Sequence, residues 1–273
     1  MIDLGPLWDF ANPQASEQRF RDALPSATGD DVLILQTQIA RTYGLRGDFA
    51  RAREILNGMP LEKAGAEPRI RHALELGRTY ASAAHPKESE TPEARARARA
   101  LYQQAFELAR KEKFDALAID AIHMLAFVDT APADQLKWAE EGLALVEASS
   151  QPAAKRWEAS LRNNAGYALH QLGRYDEALA QFKQAVVLRS RGNDAQATRV
   201  AHWMVAWTLR AMGRIDEALE VQLRLEREGE AAGKPDPYVF EELEALYRAK
   251  GDERRATEYS HRRNLHAGRK PKP

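Results

Sequence analysis

The chain has 273 residues, and its 40 lysines and arginines equal its 40 aspartates and glutamates, so no net field favours nucleic acid or an anionic membrane surface. Cysteine is absent, which excludes disulfides, zinc ribbons, thiol nucleophiles and iron–sulfur ligation. Because no apolar run approaches the ~18 residues that span a bilayer and the first residues lack the pattern of a secretory signal, we expect a cytoplasmic protein without a membrane partner.

Helix is predicted nearly throughout, because alanine, leucine, glutamate and arginine dominate and alternating β-branched runs are rare. In chain order the predicted helices are 14–24, 31–45, 48–58, 67–82, 92–112, 114–128, 132–149, 152–172, 175–191, 195–212, 215–231, 236–250 and 252–266. We expect an N-terminal extension at 1–11, one repeat domain of about six helix pairs at 12–266 and a disordered basic tail at 267–273. An insertion near 83–92, rich in proline and glutamate, is predicted to form a mobile surface loop.

One turn recurs along the chain. The stretch "LGRYDEALAQF" at 172–182 returns as "MGRIDEALEVQ" at 212–222 and, less closely, as "KGDERRATEYS" at 250–260. The turn glycines of these three copies lie 40 and 38 residues apart, and an earlier equivalent stands at Gly47. A small residue follows each turn: Ala52, Ala178, Ala218 and Ala256. A period of this length predicts a solenoid of helical repeats.

The carboxylate pairs of these turns could be read as an acid site. Asp176 and Glu177 recur as Asp216 and Glu217, each time just after the turn glycine. In the first turn of a helix, negative charge complements the exposed backbone N–H groups. No acid or base partner recurs with the pairs, so we interpret them as helix starts rather than catalytic groups.

The segment "LRNNAGYALHQLGRYDEALAQFKQAVVL" resembles a nearly complete tetratricopeptide repeat. Its matching positions are Ala165, Gly166, Leu169, Ala178, Phe182 and Ala185. An earlier unit, "LELGRTY" at 74–80, keeps Leu76, Gly77 and Tyr80. The second helix of that unit appears only after an insertion into its turn, with Ala98, Tyr102 and Ala105. The long period is similar to the branch seen in kinesin light chains and bacterial peptide sensors, while residues 114–149 match only loosely.

This resemblance implies an all-α fold, a right-handed superhelical solenoid of antiparallel helix pairs, whose first helices line a concave groove that binds peptides. The residues then expected to face this groove are Arg41, Arg78, His123, Asn163, Tyr167, His170, Trp203, Trp207, Arg210, Glu241 and Arg248, together with Thr37 and Leu74. Four arginines make the expected groove locally basic, which favours an acidic or carboxylate-ended peptide. The alternative is that the two tryptophans simply pack between neighbouring repeats.

Signatures of enzymes and of cofactor sites are missing from the sequence. "GEAAGK" at 229–234 has the wrong glycine spacing for a phosphate loop, and Pro235 stands where the magnesium-binding hydroxyl belongs. We therefore expect no cofactor, no metal and no enzyme; the residual enzyme hypothesis would use His123, His170 and Arg78. The predicted function is a non-catalytic protein- or peptide-binding scaffold, with a peptide-sensing regulator as the alternative. Neutral charge argues against RNA binding.

Overall fold

The computed structural model describes residues 2–89, 91–192 and 194–267, and within these ranges the chain is helical and contains no β-strand. The helices are α1 (Pro13–Ala23), α2 (Asp30–Leu45), α3 (Phe49–Asn57), α4 (Ala66–Arg78), α5 (Pro92–Lys111), α6 (Asp115–Val128), α7 (Pro132–Ala148), α8 (Pro152–Lys155), α9 (Glu158–Gln171), α10 (Tyr175–Ser190), α11 (Ala195–Ala211), α12 (Ile215–Ala231), α13 (Pro237–Ala249) and α14 (Glu253–Ala267). The predicted all-α fold of paired helices is confirmed. The tail prediction for 268–273 lies outside the described residues.

The chain divides into two compact units, Met1–Trp157 and Glu158–Pro273, called unit 1 and unit 2 below. Unit 1 contains α1 to α8, and unit 2 contains the three pairs α9–α10, α11–α12 and α13–α14. The predicted helix 152–172 is wrong at this point, because it is two helices, α8 and α9, separated by a turn at 156–157. Pro152 begins the short α8, and the Nζ of Lys155 donates to the carbonyls of Val146 and Glu147.

The repeated glycine turn adopts one geometry in four places. Gly47, Gly173, Gly213 and Gly251 have φ between 74° and 80°, which a side chain rarely tolerates. In each turn the next residue donates its N–H back to the helix, as Arg174 N does to Leu169 O at 2.9 Å. The acidic pairs after Gly173 and Gly213 lie in the first turns of α10 and α12, as predicted.

Another turn with this geometry carries no glycine. Lys113, between α5 and α6, has φ 59°, and Phe114 N donates to Ala109 O at 2.9 Å. Because the residue with the positive φ is a lysine here, the glycine that marks the other turns in the sequence is missing. This explains why the repeat pattern is hard to read near residue 114.

Close helix approach in the pairs depends on the small residues. A Cβ built on Gly166 would lie 2.7 Å from a ring carbon of Phe182, and one built on Gly77 would lie 2.5 Å from a ring carbon of Tyr102. Ala178 is fully buried. The predicted resemblance positions therefore occupy equivalent contacts in the two units.

The predicted insertion lies between α4 and α5. Helix α4 ends at Arg78, so the predicted helix 67–82 is four residues too long. The following turn is buried, and the hydroxyl of Tyr102 donates to Ala81 O at 2.6 Å. The mobility of the insertion near 83–92 stays a prediction.

Residues before α1 pack on unit 1. Ile2, Leu4, Leu7 and Trp8 contact the core around Phe20, Leu35 and Ile39. The indole N–H of Trp8 donates to the side-chain oxygen of Gln38 at 3.1 Å.

Candidate functional site

The predicted groove residues fall into two sets, one in each unit. In unit 1 they are Arg41 on α2, Arg78 on α4 and His123 on α6; in unit 2 they are Asn163, Tyr167 and His170 on α9, Trp203, Trp207 and Arg210 on α11, and Glu241 and Arg248 on α13. Two further predictions are wrong: Thr37 and Leu74 are 0% and 1% exposed. Thr37 gives its hydroxyl hydrogen to Ile34 O, and Leu74 packs in the core.

Unit 1 contains a cluster of paired charges. Glu75, which is 4% exposed, accepts from Arg41 at 3.1 Å and also from Arg78. The other guanidinium nitrogen of Arg78 donates to Asp120, which is 9% exposed. These four residues, here called the ionic cluster, join α2, α4 and α6. Two arginines and two carboxylates give the cluster no net charge.

Burial and pairing act against each other in this cluster. Burial alone would raise the pKa of Asp120, but the charges of Arg78 and Arg41 hold the pKa below its usual value. Burial also opposes the charge of Arg78, yet Asp120 and Glu75 raise the pKa of its guanidinium further. The charged forms of Asp120 and Arg78 therefore stabilise each other.

His123 lies beside the ionic cluster. Burial lowers the pKa of its imidazole, more than the neighbouring Asp120 raises it, and the ring stands 5.7 Å from that of Trp157. A cavity of about 170 Å³ opens next to these groups, lined by Arg41, Glu75, Arg78, Ser82, His123 and Phe127 among others.

The guanidinium of Arg41 also contacts aromatic rings. It lies 5.6 Å from the ring of Trp8 and 5.7 Å from that of Phe10. Those two rings stack on each other with centroids 4.5 Å apart. Arg41 thus interacts both with Glu75 and with the rings of Trp8 and Phe10.

Unit 2 brings aromatic side chains together instead of charges. The ring of Trp207 stacks on Tyr167 at 5.9 Å and 15°, and on Trp203 at 6.0 Å and 18°. His170 lies on Trp207 at 3.4 Å and 14°. Tyr167, Trp207 and Trp203 form what we call the aromatic row, with Trp207 in its middle. The predicted clustering of these side chains is observed, and Tyr167 remains 44% exposed.

Trp203 also has a packing role. Its ring packs against the core cluster that contains Val239 and Phe240, and its indole N–H donates to Tyr238 O at 3.2 Å. The packing alternative therefore applies to Trp203, whereas the exposed surface of the row belongs chiefly to Tyr167.

The arginines of unit 2 are paired as well. Arg210 makes two hydrogen bonds to Glu242, at 2.7 and 2.9 Å, and the carboxylate raises the pKa of the guanidinium. Arg248 donates to Glu244 at 3.1 Å. All four arginines expected to make the groove basic thus have carboxylate partners.

The carboxylate partners were missed by sequence reasoning. Glu75, Asp120 and Glu242 lie on first helices of their pairs, and each bonds the arginine on the first helix of the preceding pair. The signal available in each case was an acidic residue within a stretch that is otherwise buried. Glu242 lies 32 residues after Arg210, and Asp120 lies 42 residues after Arg78.

One further depression in the surface contains none of the predicted site residues. A depression of about 310 Å³ on α9 and α10 is lined by Glu158, Arg162, Lys183, Val187 and Arg191 among others. Across the described ranges, no group of three or more histidines, aspartates or glutamates is placed to hold a metal ion. In the same ranges, no helix has the length and apolarity needed to cross a bilayer.

Comparisons with known proteins agree with this architecture. Residues 157–226 match the family model described as tetratricopeptide repeat, while no curated protein matches significantly. The fold resembles a signal transduction ATPase with numerous domains that carries a tetratricopeptide repeat sensor, from Pyrococcus horikoshii. That match has a TM-score of 0.70 at 12% identity and covers 93% of this chain but 39% of that protein, so this chain spans less than half of its length.

Two further solved structures are similar. A kinesin light chain with nearly identical repeats, from Podosopora anserina, has a TM-score of 0.55 at 18% identity and covers 73% of this chain and 96% of its own. A Rap protein complexed with competence and sporulation factor has a TM-score of 0.60 at 17% identity and covers 97% and 73%. Because the sequence identities are this low, the structural similarity establishes a shared fold and nothing more.

Proposed function

We propose that this chain, a tetratricopeptide-repeat protein by its sequence match at 157–226 and by its fold, is a non-catalytic scaffold that binds an extended protein segment on the aromatic row of unit 2. The observation that carries the proposal is the stacked set of Tyr167, Trp207 and Trp203, whose outer member is 44% exposed. Tyrosine and tryptophan supply much of the contact energy in protein interfaces, because they bury a large area at little entropic cost.

The ionic cluster of unit 1 supports a structural role rather than a ligand site. Its carboxylates are nearly buried, and its arginines already satisfy them. A ligand that bound Arg78 would leave Asp120 without its hydrogen-bond partner and Glu75 with Arg41 alone, and unpaired buried charges are strongly unfavourable. The same pairing argues against catalysis by these groups.

An acidic or carboxylate-ended ligand has less support than an uncharged one. Arg210 is the arginine nearest to the row in sequence, three residues after Trp207, and both oxygens of Glu242 already accept from it. An incoming carboxylate would have to compete with that bidentate pair.

A regulatory role is the second candidate. It is favoured by the similarity in fold to a protein with a tetratricopeptide repeat sensor and to a Rap protein in complex with a peptide factor. A regulator of this kind would change its dimensions on ligand binding, and small-angle scattering with and without a bound peptide would detect the change. A passive scaffold would give the same scattering curve.

The proposal is tested by selecting binders from a random peptide display library with the full chain, then measuring the selected peptides on variants. Tyr167→Ala removes the exposed ring that the ligand is proposed to contact, so binding should be abolished. The fold should be retained because that ring faces solvent. The matched control is Phe10→Ala, which removes an exposed ring stacked on a tryptophan in unit 1 and should leave binding unchanged. Peptides that bind both variants equally, or that lose affinity only with Phe10→Ala, would contradict the proposal.

A further inference from the structure

We propose that the cavity of unit 1 binds one small uncharged molecule that has an apolar body and a hydrogen-bond acceptor. The cavity measures about 170 Å³ and lies between the helices α2, α4 and α6 and the turn that follows α4. This inference is independent of the proposed function, which concerns unit 2. It follows from the size of the cavity, the wall that the turn provides, one unpartnered donor and the pairing of the nearby charges.

The size of the cavity limits the ligand. A protein cavity of about 150 Å³ can hold one benzene-sized molecule, so about 170 Å³ leaves room for a ring with a small substituent. Leu45 of α2 and Met124 and Phe127 of α6 supply apolar side chains to the cavity wall. Contact with an apolar ligand would remove their surface from water, which stabilises the bound state.

The turn after α4 forms one side of the cavity and belongs to the long connection that separates α4 from α5. Ser82, Ala83 and Ala84 line the cavity. The imidazole of His85 holds this turn, because it bonds Thr79 O through Nε2 at 3.2 Å and the hydroxyl of Ser82 through Nδ1 at 3.1 Å. The turns within the helix pairs of unit 2 have only three residues, so this wall is a feature of unit 1.

One buried donor beside the cavity lacks a partner. Arg41 lines the cavity, and its Nη1 donates to Glu75 at 3.1 Å. The Nε of Arg41 is buried and has no hydrogen-bond partner among the residues the structure describes. Because an unsatisfied buried donor is unfavourable, a ligand with a carbonyl oxygen at this point would supply the missing bond. This favours a ligand with an acceptor over a pure hydrocarbon.

The charges near the cavity are already paired, which favours an uncharged ligand. Glu75 accepts from Arg41 and Arg78, and Asp120 accepts from Arg78. Burial lowers the pKa of His123, so its imidazole adds no positive charge at neutral pH. An ionic ligand would lose hydration here, and the ionic cluster offers it no unpaired charge of opposite sign.

The test uses the full chain labelled with ¹³C in the methionine methyl groups, because Met124 lines the cavity whereas Met204 and Met212 belong to unit 2. The probes are acetophenone, ethylbenzene and benzoate, which share a ring but differ in acceptor and in charge. We expect acetophenone to shift the Met124 resonance and to bind at least about five-fold more tightly than ethylbenzene. Benzoate should cause no shift, and Met204 and Met212 should not respond to any probe.

Two variants test whether the probe lies in the cavity. Ala83→Phe fills the cavity from an exposed position of the turn and should abolish the shift, whereas the matched control Ala180→Phe, at an exposed position of α10, should keep it. Arg41→Lys keeps a positive charge beside Glu75 but removes the Nε–H, so the preference for acetophenone over ethylbenzene should disappear. Melting curves show whether each variant is folded.

Several results would overturn the inference. No response of Met124 to any probe would show that the cavity is not a ligand site, and a shift that persists in Ala83→Phe would place the site elsewhere. Equal affinities for acetophenone and ethylbenzene would contradict the need for an acceptor, and an equal affinity for benzoate would contradict the preference for uncharged ligands. Tyr167→Ala should change none of these results, so failure here and failure of the proposed function are distinguishable.

Discussion

The two units use equivalent first helices in different ways. In unit 1 the side chains between α2, α4 and α6 are the charged groups of the ionic cluster, whereas in unit 2 the side chains between α9 and α11 are stacked aromatic rings with one member exposed. The difference teaches that a polar residue on a groove-facing position does not imply a ligand site. In unit 1 the buried charges are paired with one another, whereas in unit 2 the ring of Tyr167 remains exposed.

The largest effect is expected from breaking the ionic cluster. Arg78→Ala leaves Asp120 buried without its hydrogen-bond partner and Glu75 with Arg41 alone, which should lower the free energy of unfolding by about 3–5 kcal/mol. Chemical denaturation measures it. Arg210→Ala in unit 2 is the comparison and should cost less, because Arg210 pairs with Glu242 alone and is more exposed than Arg78, which bonds two carboxylates.

A rescue variant sharpens this prediction. Combining Arg78→Met with Glu75→Gln and Asp120→Asn removes the charges together, so stability should recover in part relative to Arg78→Ala. No recovery would show that packing of the arginine stem, not charge pairing, dominates unit 1.

A smaller loss is expected at the glycine contacts that both units share. Gly166→Ala should cost about 1–3 kcal/mol, because the new Cβ would lie 2.7 Å from the ring of Phe182. Gly77→Ala against Tyr102 should behave alike. The control is Gly44→Ala, where a Cβ meets nothing within 4 Å and where alanine should stabilise the helix slightly. A loss confined to one unit would contradict the equivalence of the two contacts.

The smallest effect concerns pH. Burial lowers the pKa of His123, and burial together with the charge of Arg210 lowers the pKa of His170. Since the folded pKa lies below the unfolded value of about 6.5, both histidines bind a proton more readily when unfolded. Stability is therefore complete above that pH and declines as the pH falls through it.

Melting temperatures measured on either side of this pH test the prediction. The charged groups near His123 are Asp120, Arg78 and Arg41. His123→Asn and His170→Asn should each flatten the pH dependence. An unchanged slope in both variants would show that neither histidine is responsible.

The fold was predictable because its signals are local. Gly173 and Gly213 mark turns whose positive φ only glycine tolerates easily, and Ala178 marks a close helix contact. The turn at Lys113 was not predictable, because lysine accepts the same conformation without the glycine signal. Periodicity alone also failed to show the break between α8 and α9.

The candidate site was predictable only in part. Four-residue spacing correctly joined Trp203 to Trp207, since such pairs share a helix face. The pairing of Arg78 with Asp120 spans 42 residues, so no local pattern reveals it. The groove was expected to be basic, but such long-range pairs give the arginines carboxylate partners.

The central claim, that a ligand contacts the aromatic row of unit 2, is tested most directly by the indole N–H resonances of the five tryptophans in ¹⁵N-labelled protein. Unit 1 contains Trp8, Trp138 and Trp157, and unit 2 contains Trp203 and Trp207. On titration with a library-selected peptide, we predict that the resonance of Trp207 shifts most, that of Trp203 shifts less because its N–H is held by Tyr238 O, and the three of unit 1 stay in place. A binding peptide that shifts only the tryptophans of unit 1 would contradict the account.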